Sequence, residues 1–159
     1  MRAGADARRE GGRAARADRD ACRRRWPDAA DFVAELAETV LYLHADQFFP
    51  GWTILVLKRH ATELFDLRSE ERARLLEEVS QAARDVHDAF GAVKVNYALF
   101  GNQLPHVHWH GIPRLASDPA PRRSVWGVPQ AAVTVSATAR TERIGRLRLH
   151  LAPSSRRRR

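Results

Sequence analysis

The chain has 159 residues, of which 44% are hydrophobic, so its composition fits one folded domain and excludes a chain that is disordered throughout. Its longest strongly apolar run, residues 54–57, is far too short to cross a membrane. The net charge of +8 arises at the ends, because residues 1–25 carry +5, residues 140–159 carry +7, and the part between them carries −4. This distribution argues against a protein that reads a nucleic-acid groove, and leaves only loose contact with polyanions through the arginine-rich ends.

Residues 1–25 are rich in arginine and alanine and low in complexity, which predicts a disordered leader. They contain no apolar stretch, so they do not form a secretory signal peptide. Cys22 is the only cysteine, so no disulfide can form within the chain, and a cytoplasmic location is expected. The folded domain is expected to span residues 26–151, and a basic disordered tail is expected at residues 152–159.

Three short runs typical of β-strands follow the leader, at residues 32–36, 39–43 and 52–57. The clearest helix pattern comes next, with Ser69 as its expected N-cap. Apolar residues recur from there at three- and four-residue steps as far as Phe90, and Gly91 stands where a glycine commonly ends a helix.

Residues 93–99 alternate between apolar and polar, which predicts a fourth strand, and a turn leads from it to a fifth strand at residues 106–112. Residues 117–130 are rich in proline and irregular, and a last helix is expected over residues 138–151, although Gly145 weakens it. Strands that pair through short turns, with a helix between them, indicate an antiparallel α+β layer. One long helix cannot cover both faces of such a sheet, so a partner subunit is expected.

Three of the seven histidines, His106, His108 and His110, occupy alternate positions of the fifth predicted strand. Alternation predicts that their imidazoles share one face of the strand. His106 and His110 are then roughly 13 Å apart, too far for one metal ion to bind all three rings. Core histidines and a metal site remain alternatives, but a row of imidazoles is better suited to contacting an extended anion, such as a phosphate chain.

The run from Gly101 to Arg114 resembles the signature of the histidine triad (HIT) family, in which histidines alternate with apolar residues. The likeness covers residues 26–130 and includes the matches at 94–97 and 55–60. It implies an α+β, HIT-like fold, with a five-stranded antiparallel sheet, one long helix and a C-terminal helix, commonly in a homodimer. It also implies a nucleotide hydrolase of the bacterial dinucleoside-polyphosphate-hydrolase-like branch, which acts on dinucleoside polyphosphates or nucleoside phosphoramidates.

The resemblance also assigns roles to the three histidines. His108 would attack the α-phosphorus and form a nucleotidyl-imidazole intermediate, which water then hydrolyses. His110 would contact the phosphate and assist the leaving group, and its presence favours hydrolysis because transferase branches of the family tend to carry glutamine there. His106 completes the expected catalytic set.

Four polar residues are expected to bind the substrate. Asn96, Asn102 and Gln103 would donate amide hydrogen bonds to phosphate oxygens, although Gly101-Asn102 is also ordinary turn chemistry. Asp46 would accept hydrogen bonds from a ribose.

The sequence departs from the family pattern at two positions. Cys22, His60 and His106 match three of the four ligands that bind structural zinc in several relatives, but Arg25 stands where the second cysteine would be. Zinc is therefore expected to be absent or weakly bound, no metal ligand is assigned and no cofactor is required, although a divalent cation could accompany the substrate. Trp52 occupies the position of a fourth active-site histidine, and it is expected to change how His110 is oriented.

Two other functions stay open from the sequence. Trp52 makes a nucleotide-binding protein with little turnover an alternative to the hydrolase. The histidine row together with Cys22 makes metal storage or sensing a third reading.

Overall fold

The computed structural model describes residues 26–127 and 129–151. The predicted leader, with Cys22 and Arg25, and the predicted tail at residues 152–159 lie outside the described residues. No helix in the described part of the chain is long and apolar enough to cross a membrane. The elements follow one another as β1 (Phe32–Glu35), β2 (Thr39–Leu43), β3 (Thr53–Leu57), α1 (Ser69–Phe90), β4 (Lys94–Ala98), β5 (His108–Arg114) and α2 (Ala137–His150), with single 3-10 turns at Ala29–Asp31, Leu64–Asp66 and Val125–Gly127.

The strands form one antiparallel sheet in the order β1-β2-β3-β5-β4, so β5 lies between β3 and β4. This five-stranded sheet, with one long helix and a C-terminal helix, confirms the α+β fold expected from the sequence. Because β4 and β5 are antiparallel neighbours in this order, a loop without a crossover is enough to connect them.

The long helix α1 ends where its apolar periodicity predicts and begins one residue earlier than expected, at Ser69. Its N-cap is Arg68 and not the expected Ser69, and the backbone N–H of Arg68 donates to Glu71 Oε2 at 2.8 Å. Gly91 ends the helix in the left-handed conformation, with φ of 63°, as the sequence predicted.

The main apolar core lies between the sheet and the two helices. Leu75, Val86 and Leu147 carry the helical side of this core, and each is fully buried. Leu41 and Leu55 face them from the sheet. The opposite face of the sheet carries smaller apolar clusters. His108 and His110 lie on this face, away from the helices.

Strand β5, which lies between β3 and β4, begins two residues later than predicted, at His108. Gly111 pairs with Thr53 of β3 on one side and with Tyr97 of β4 on the other. Thr53 Oγ1 donates to the Gly111 carbonyl at 3.1 Å, and it would lie only 2.9 Å from a Cβ added at Gly111. Pro113 is tolerated because β3 pairs with β5 only as far as Gly111, so a missing N–H breaks no bond to β3.

Candidate active site

His108 and His110 stand side by side on the sheet face opposite the helices. In the antiparallel register His108 is directly opposite Val56 and His110 is directly opposite Ile54, so each imidazole shares the face of its partner. The two ring centroids are 5.3 Å apart and the rings are nearly perpendicular, at 80°. The structure therefore brings together two of the three predicted imidazoles.

The tautomer of His108 follows from its one backbone contact. His108 Nδ1 lies 2.6 Å from the carbonyl oxygen of His106. A carbonyl only accepts, so Nδ1 carries the proton and Nε2, on the other side of the ring, keeps the lone pair. The edge of Trp26 packs against the ring at a centroid distance of 5.4 Å, and the His108 side chain is 6% exposed. A fixed, shielded imidazole with a free Nε2 lone pair is suited to act as a nucleophile.

His110 is held by an aromatic cluster that the sequence analysis only partly anticipated. The indole Nε1 of Trp52 donates to His110 Nδ1 at 3.2 Å. His44 stacks on Trp52 with a centroid distance of 4.2 Å and an interplanar angle of 12°, and its ring lies 5.5 Å from that of His110. Trp126 contacts both Trp52 and His110 edge-on, at 6.4 Å in each case.

Burial keeps the imidazoles of this cluster neutral. Loss of hydration, together with the smaller effect of the neighbouring rings of His44 and His108, lowers the pKa of His110 to about 3. Burial is also the main cause that lowers the pKa of His108 and of His44, against backbone hydrogen bonds that act in the opposite direction. The site at neutral pH therefore contains uncharged rings, which can offer a lone pair or donate a hydrogen bond.

His106 does not join the row that the sequence predicted. It precedes β5 and is fully buried, with Nε2 donating to the carbonyl of Leu57 at 2.7 Å. Its Nδ1 faces Nδ1 of His60 at 3.4 Å. The expectation that His106 contacts an extended anion is wrong, because its ring is closed off from solvent. His106 contributes to the site through its backbone carbonyl, which accepts from Nδ1 of His108.

Within the part of the chain that the structure describes, no third ligand for a metal ion lies near His60 and His106. Among residues 26–127 and 129–151 no three histidine, cysteine, aspartate or glutamate side chains gather closely enough to hold a metal. Cys22 and Arg25, on which the zinc argument depends, lie outside the described residues.

Asn96 of β4 is oriented by a buried arginine. Its Oδ1 accepts from Arg114 Nη1 at 3.0 Å, so its NH₂ group is turned the other way and can donate elsewhere. Arg114 is 2% exposed, and its other bonds go to Asp118 Oδ2 at 2.8 Å and to the carbonyls of Ala120 and Arg123 at 2.8 and 2.6 Å. This guanidinium therefore ties the loop after β5 to the sheet.

The other predicted substrate-binding residues differ in how the fold uses them. Asn102 and Gln103 are exposed in the loop between β4 and β5, where they are accessible to a ligand. Asp46 follows β2, and its Oδ1 accepts from the backbone N–H groups of Phe48 and Val133, both at 2.9 Å. Oδ1 of Asp46 thus connects the loop after β2 to the segment around Val133, and Oδ2 is the atom that remains to accept from a ribose.

The sequence analysis missed three residues of this region: His44, Arg114 and Trp126. His44 could have been found from the hairpin of β2 and β3, because it directly follows β2 and Trp52 directly precedes β3, which places the two residues opposite each other. The structure confirms this placement, since His44 N–H donates to the Trp52 carbonyl at 2.8 Å. Arg114 and Trp126 could not be found in that way, because their contacts depend on how an irregular loop packs.

A cleft of about 540 Å³ lies along β4. It is lined by residues 94–97 of β4, by Arg114 and by residues 121–126. None of the histidines lines it, and among these residues Trp126 is the one that contacts His110. The aromatic Trp126 and the cations Lys94, Arg122 and Arg123 give the cleft walls suited to a base and to phosphates.

Comparison with known proteins finds a family model and solved structures that are similar to this chain. The HIT domain family model matches residues 28–116. The crystal structure of a histidine triad protein from Bradyrhizobium japonicum is similar, with 32% identity, 76% of this chain and 90% of that chain covered, and a TM-score of 0.68. That of a histidine triad protein from Marinobacter aquaeolei is similar too, with 32% identity, 77% and 90% covered, and a TM-score of 0.68.

A more distant structure is similar in fold alone. It is a diadenosine triphosphate hydrolase from Plasmodium falciparum in complex with cyclomarin A, with 17% identity, 77% of each chain covered, and a TM-score of 0.55. No curated protein matches the chain at a significant level.

Proposed function

The chain belongs to the histidine triad family, and from this membership we propose that it is a nucleotide hydrolase that cleaves its substrate at the α-phosphorus through a nucleotidyl intermediate on His108. The bond that carries the proposal is the one from His108 Nδ1–H to the His106 carbonyl, at 2.6 Å. It leaves Nε2 as the only nucleophilic atom of a neutral ring.

The proposed first step joins Nε2 of His108 to the α-phosphorus while the bond to the leaving group breaks, and the leaving group takes the bonding electron pair. The attacking ring becomes cationic, and the His106 carbonyl stabilises this charge through the Nδ1–H that it already accepts. Water then attacks phosphorus and the P–N bond breaks, its electron pair returning to Nε2 of His108. The nucleoside monophosphate leaves with the hydroxyl of that water, and the other proton of the water passes to the released leaving group or to solvent.

The neighbouring groups assist by donating hydrogen bonds. Burial lowers the pKa of His110 to about 3, so its ring is neutral and we propose that it donates to a phosphate or leaving-group oxygen. The NH₂ group of Asn96 and the exposed amides of Asn102 and Gln103 are proposed to contact the phosphates, and Asp46 Oδ2 the ribose. His106 acts through its backbone carbonyl. No cofactor is required in this scheme, and a divalent cation enters with a polyphosphate substrate.

The substrate proposed is a dinucleoside polyphosphate or a nucleoside phosphoramidate, as in the branch that the sequence resembles. The diadenosine triphosphate hydrolase among the structural neighbours supports this class, since it has the same fold. The sole cysteine supports the accompanying proposal of a cytoplasmic location.

A homodimer is also proposed, on the exposure of the last strand. β4 lies at one edge of the sheet, and Val93 just before it and Tyr97 within it are 63% and 48% exposed. An edge strand with exposed apolar side chains can pair with a second copy and extend the sheet. Light scattering from the purified protein would test this by giving the mass of one chain or of two.

A second candidate function is nucleotide binding with little turnover. The observation that favours it is the bond from Trp52 to His110, because Nδ1 of His110 is then no longer free to take part in proton transfer. Binding of AMP without hydrolysis of any offered substrate would support this candidate.

The deciding experiment incubates the protein with a panel of dinucleoside polyphosphates and with adenosine phosphoramidate. Rapid quenching and mass spectrometry should find a nucleotidyl group on His108. His108→Ala should lose the adduct and at least about 10³-fold of the turnover with its fold intact, as expected for the loss of a nucleophile. His87→Ala is the matched control, because it removes an exposed histidine of α1. Equal turnover by His108→Ala and the wild type would refute the proposal.

A further inference from the structure

The hydrogen bond between Trp52 and His110 has only one chemically allowed direction. An indole Nε1–H donates and cannot accept, so Nδ1 of His110, at 3.2 Å, must be the acceptor and must be unprotonated. A neutral imidazole carries one proton, which therefore lies on Nε2 of His110.

The direction of this donor is fixed by what surrounds the indole. Trp52 is 6% exposed and lies flat on the ring of His44, at 4.2 Å and 12°. His44 is held in turn, because its Nδ1 lies 3.1 Å from the backbone nitrogen and 3.2 Å from the carbonyl oxygen of Asp46. Phe49 closes the indole from another side, edge-on at 6.2 Å. The indole cannot turn its N–H elsewhere without breaking this packing.

His108 has the opposite tautomer. Its Nδ1 carries the proton that the His106 carbonyl accepts, so its Nε2 has the lone pair. His110, 5.3 Å away, has its lone pair on Nδ1 and its proton on Nε2. In both rings Nδ1 is bound to the protein, so Nε2 is the atom left for a ligand. One ring then offers a lone pair and the other offers a proton.

We propose that Trp52 is a positioning residue which, through its indole N–H, fixes His110 as the Nε2–H tautomer, so that His110 donates to a phosphate oxygen next to the nucleophile His108. The tautomer stands on the geometry alone, and its effect on catalysis rests on the proposed hydrolase function. Without the indole, His110 could instead present its Nε2 lone pair to the phosphate oxygens, and two sets of lone pairs repel. From the sequence, Trp52 was expected to change how His110 is oriented. The proposed mechanism is the hydrogen bond from its indole N–H to Nδ1 of His110.

The tautomer can be read directly by NMR of the wild-type protein with ¹⁵N-labelled histidine. A nitrogen with a proton and a nitrogen with a lone pair have clearly different ¹⁵N shifts. Long-range ¹H–¹⁵N couplings tell Nδ1 from Nε2 within each ring, and through-bond correlation of the ring with its own backbone assigns the signals of His110. We expect a lone-pair shift at Nδ1 and a protonated shift at Nε2 near neutral pH. A proton on Nδ1 of His110 would overturn the proposal without any variant.

The role of the donor is tested by Trp52→Phe, which keeps an aromatic ring and removes the N–H. We expect the His110 nitrogens to move toward the averaged shifts of two exchanging tautomers. Trp126→Phe is the matched control, because it also removes an indole that contacts His110, edge-on at 6.4 Å, and should leave the His110 tautomer unaltered. Unchanged His110 shifts in Trp52→Phe would contradict the proposal.

Kinetics then separate positioning from packing. With adenosine phosphoramidate and diadenosine triphosphate as probes, Trp52→Phe should lower kcat about tenfold, the effect of one neutral hydrogen bond, and change KM less than about twofold. Should Trp52→Phe fold poorly, 3-benzothienylalanine at this position keeps the indole shape with sulfur in place of N–H, and should give the same result. Unaltered kcat in a variant that has lost the tautomer would refute the catalytic role. No wild-type turnover of either probe would count against the hydrolase proposal instead, and the NMR result would still stand.

Discussion

Acidification is expected to destabilise the native protein through His110. Burial lowers the pKa of this imidazole from 6.5 to about 3 in the folded chain, whereas the unfolded chain exposes it to water at the ordinary value. Between these two pKa values the unfolded state binds one proton more than the native state. The free energy of unfolding therefore falls as the pH is lowered through this window, and the contribution is complete only above the unfolded pKa.

The size of the effect follows from the same two pKa values. One extra proton bound by the unfolded state changes the free energy of unfolding by about 1.4 kcal/mol per pH unit. Lowering the pH from about 7.5, above the unfolded pKa of 6.5, to about 5 should thus cost about 2 kcal/mol through His110. His44 and His108 act in the same direction, since burial also lowers their pKa values.

The assay compares urea unfolding of the wild type and of His110→Gln, followed by circular dichroism between about pH 7.5 and about pH 5. Glutamine does not titrate, and its amide oxygen can still accept from the indole of Trp52. The wild type should lose about 2 kcal/mol more than the variant across this range. His87→Gln, which removes an exposed histidine of α1, should keep the full wild-type loss. Parallel curves for the wild type and His110→Gln would refute the reasoning.

Three further predictions concern stability in urea at neutral pH. Arg114→Met leaves the buried carboxylate of Asp118 without its partner and should cost about 3–5 kcal/mol, and a loss below about 1 kcal/mol would show that this guanidinium does not anchor the loop. Leu147→Ala should cost about 2–5 kcal/mol because this side chain is fully buried between α2 and the core, and a smaller loss would mean that α2 packs loosely. Gly145→Ala should stabilise by about 0.5–1 kcal/mol, since nothing lies within 4 Å of the added Cβ in α2, whereas Gly91→Ala should destabilise by about 1 kcal/mol at its φ of 63°. Effects of equal sign for the two alanines would contradict this last comparison.

Much of the fold could be read from local patterns. The period of apolar residues along α1 and the glycine after it gave the end of that helix and placed its start to within one residue, because helix formation depends on neighbours three and four positions away. The alternation in β4 gave that strand in the same way. The start of β5 was placed two residues early, because alternating histidines continue the strand pattern past the end of the pairing with β3, where one bond remains, from Leu57 N–H to the Val107 carbonyl at 3.0 Å.

The sequence by itself determined that His108 and His110 share one face, since alternate positions of a strand always do. Only the tertiary structure decided that His106 is buried and that Trp52, 58 positions away, gives His110 its proton position. The physical reason is that a tautomer depends on which atom lies opposite each ring nitrogen. That atom is set by the pairing of β3 with β5 and by the packing of His44, neither of which the local sequence encodes.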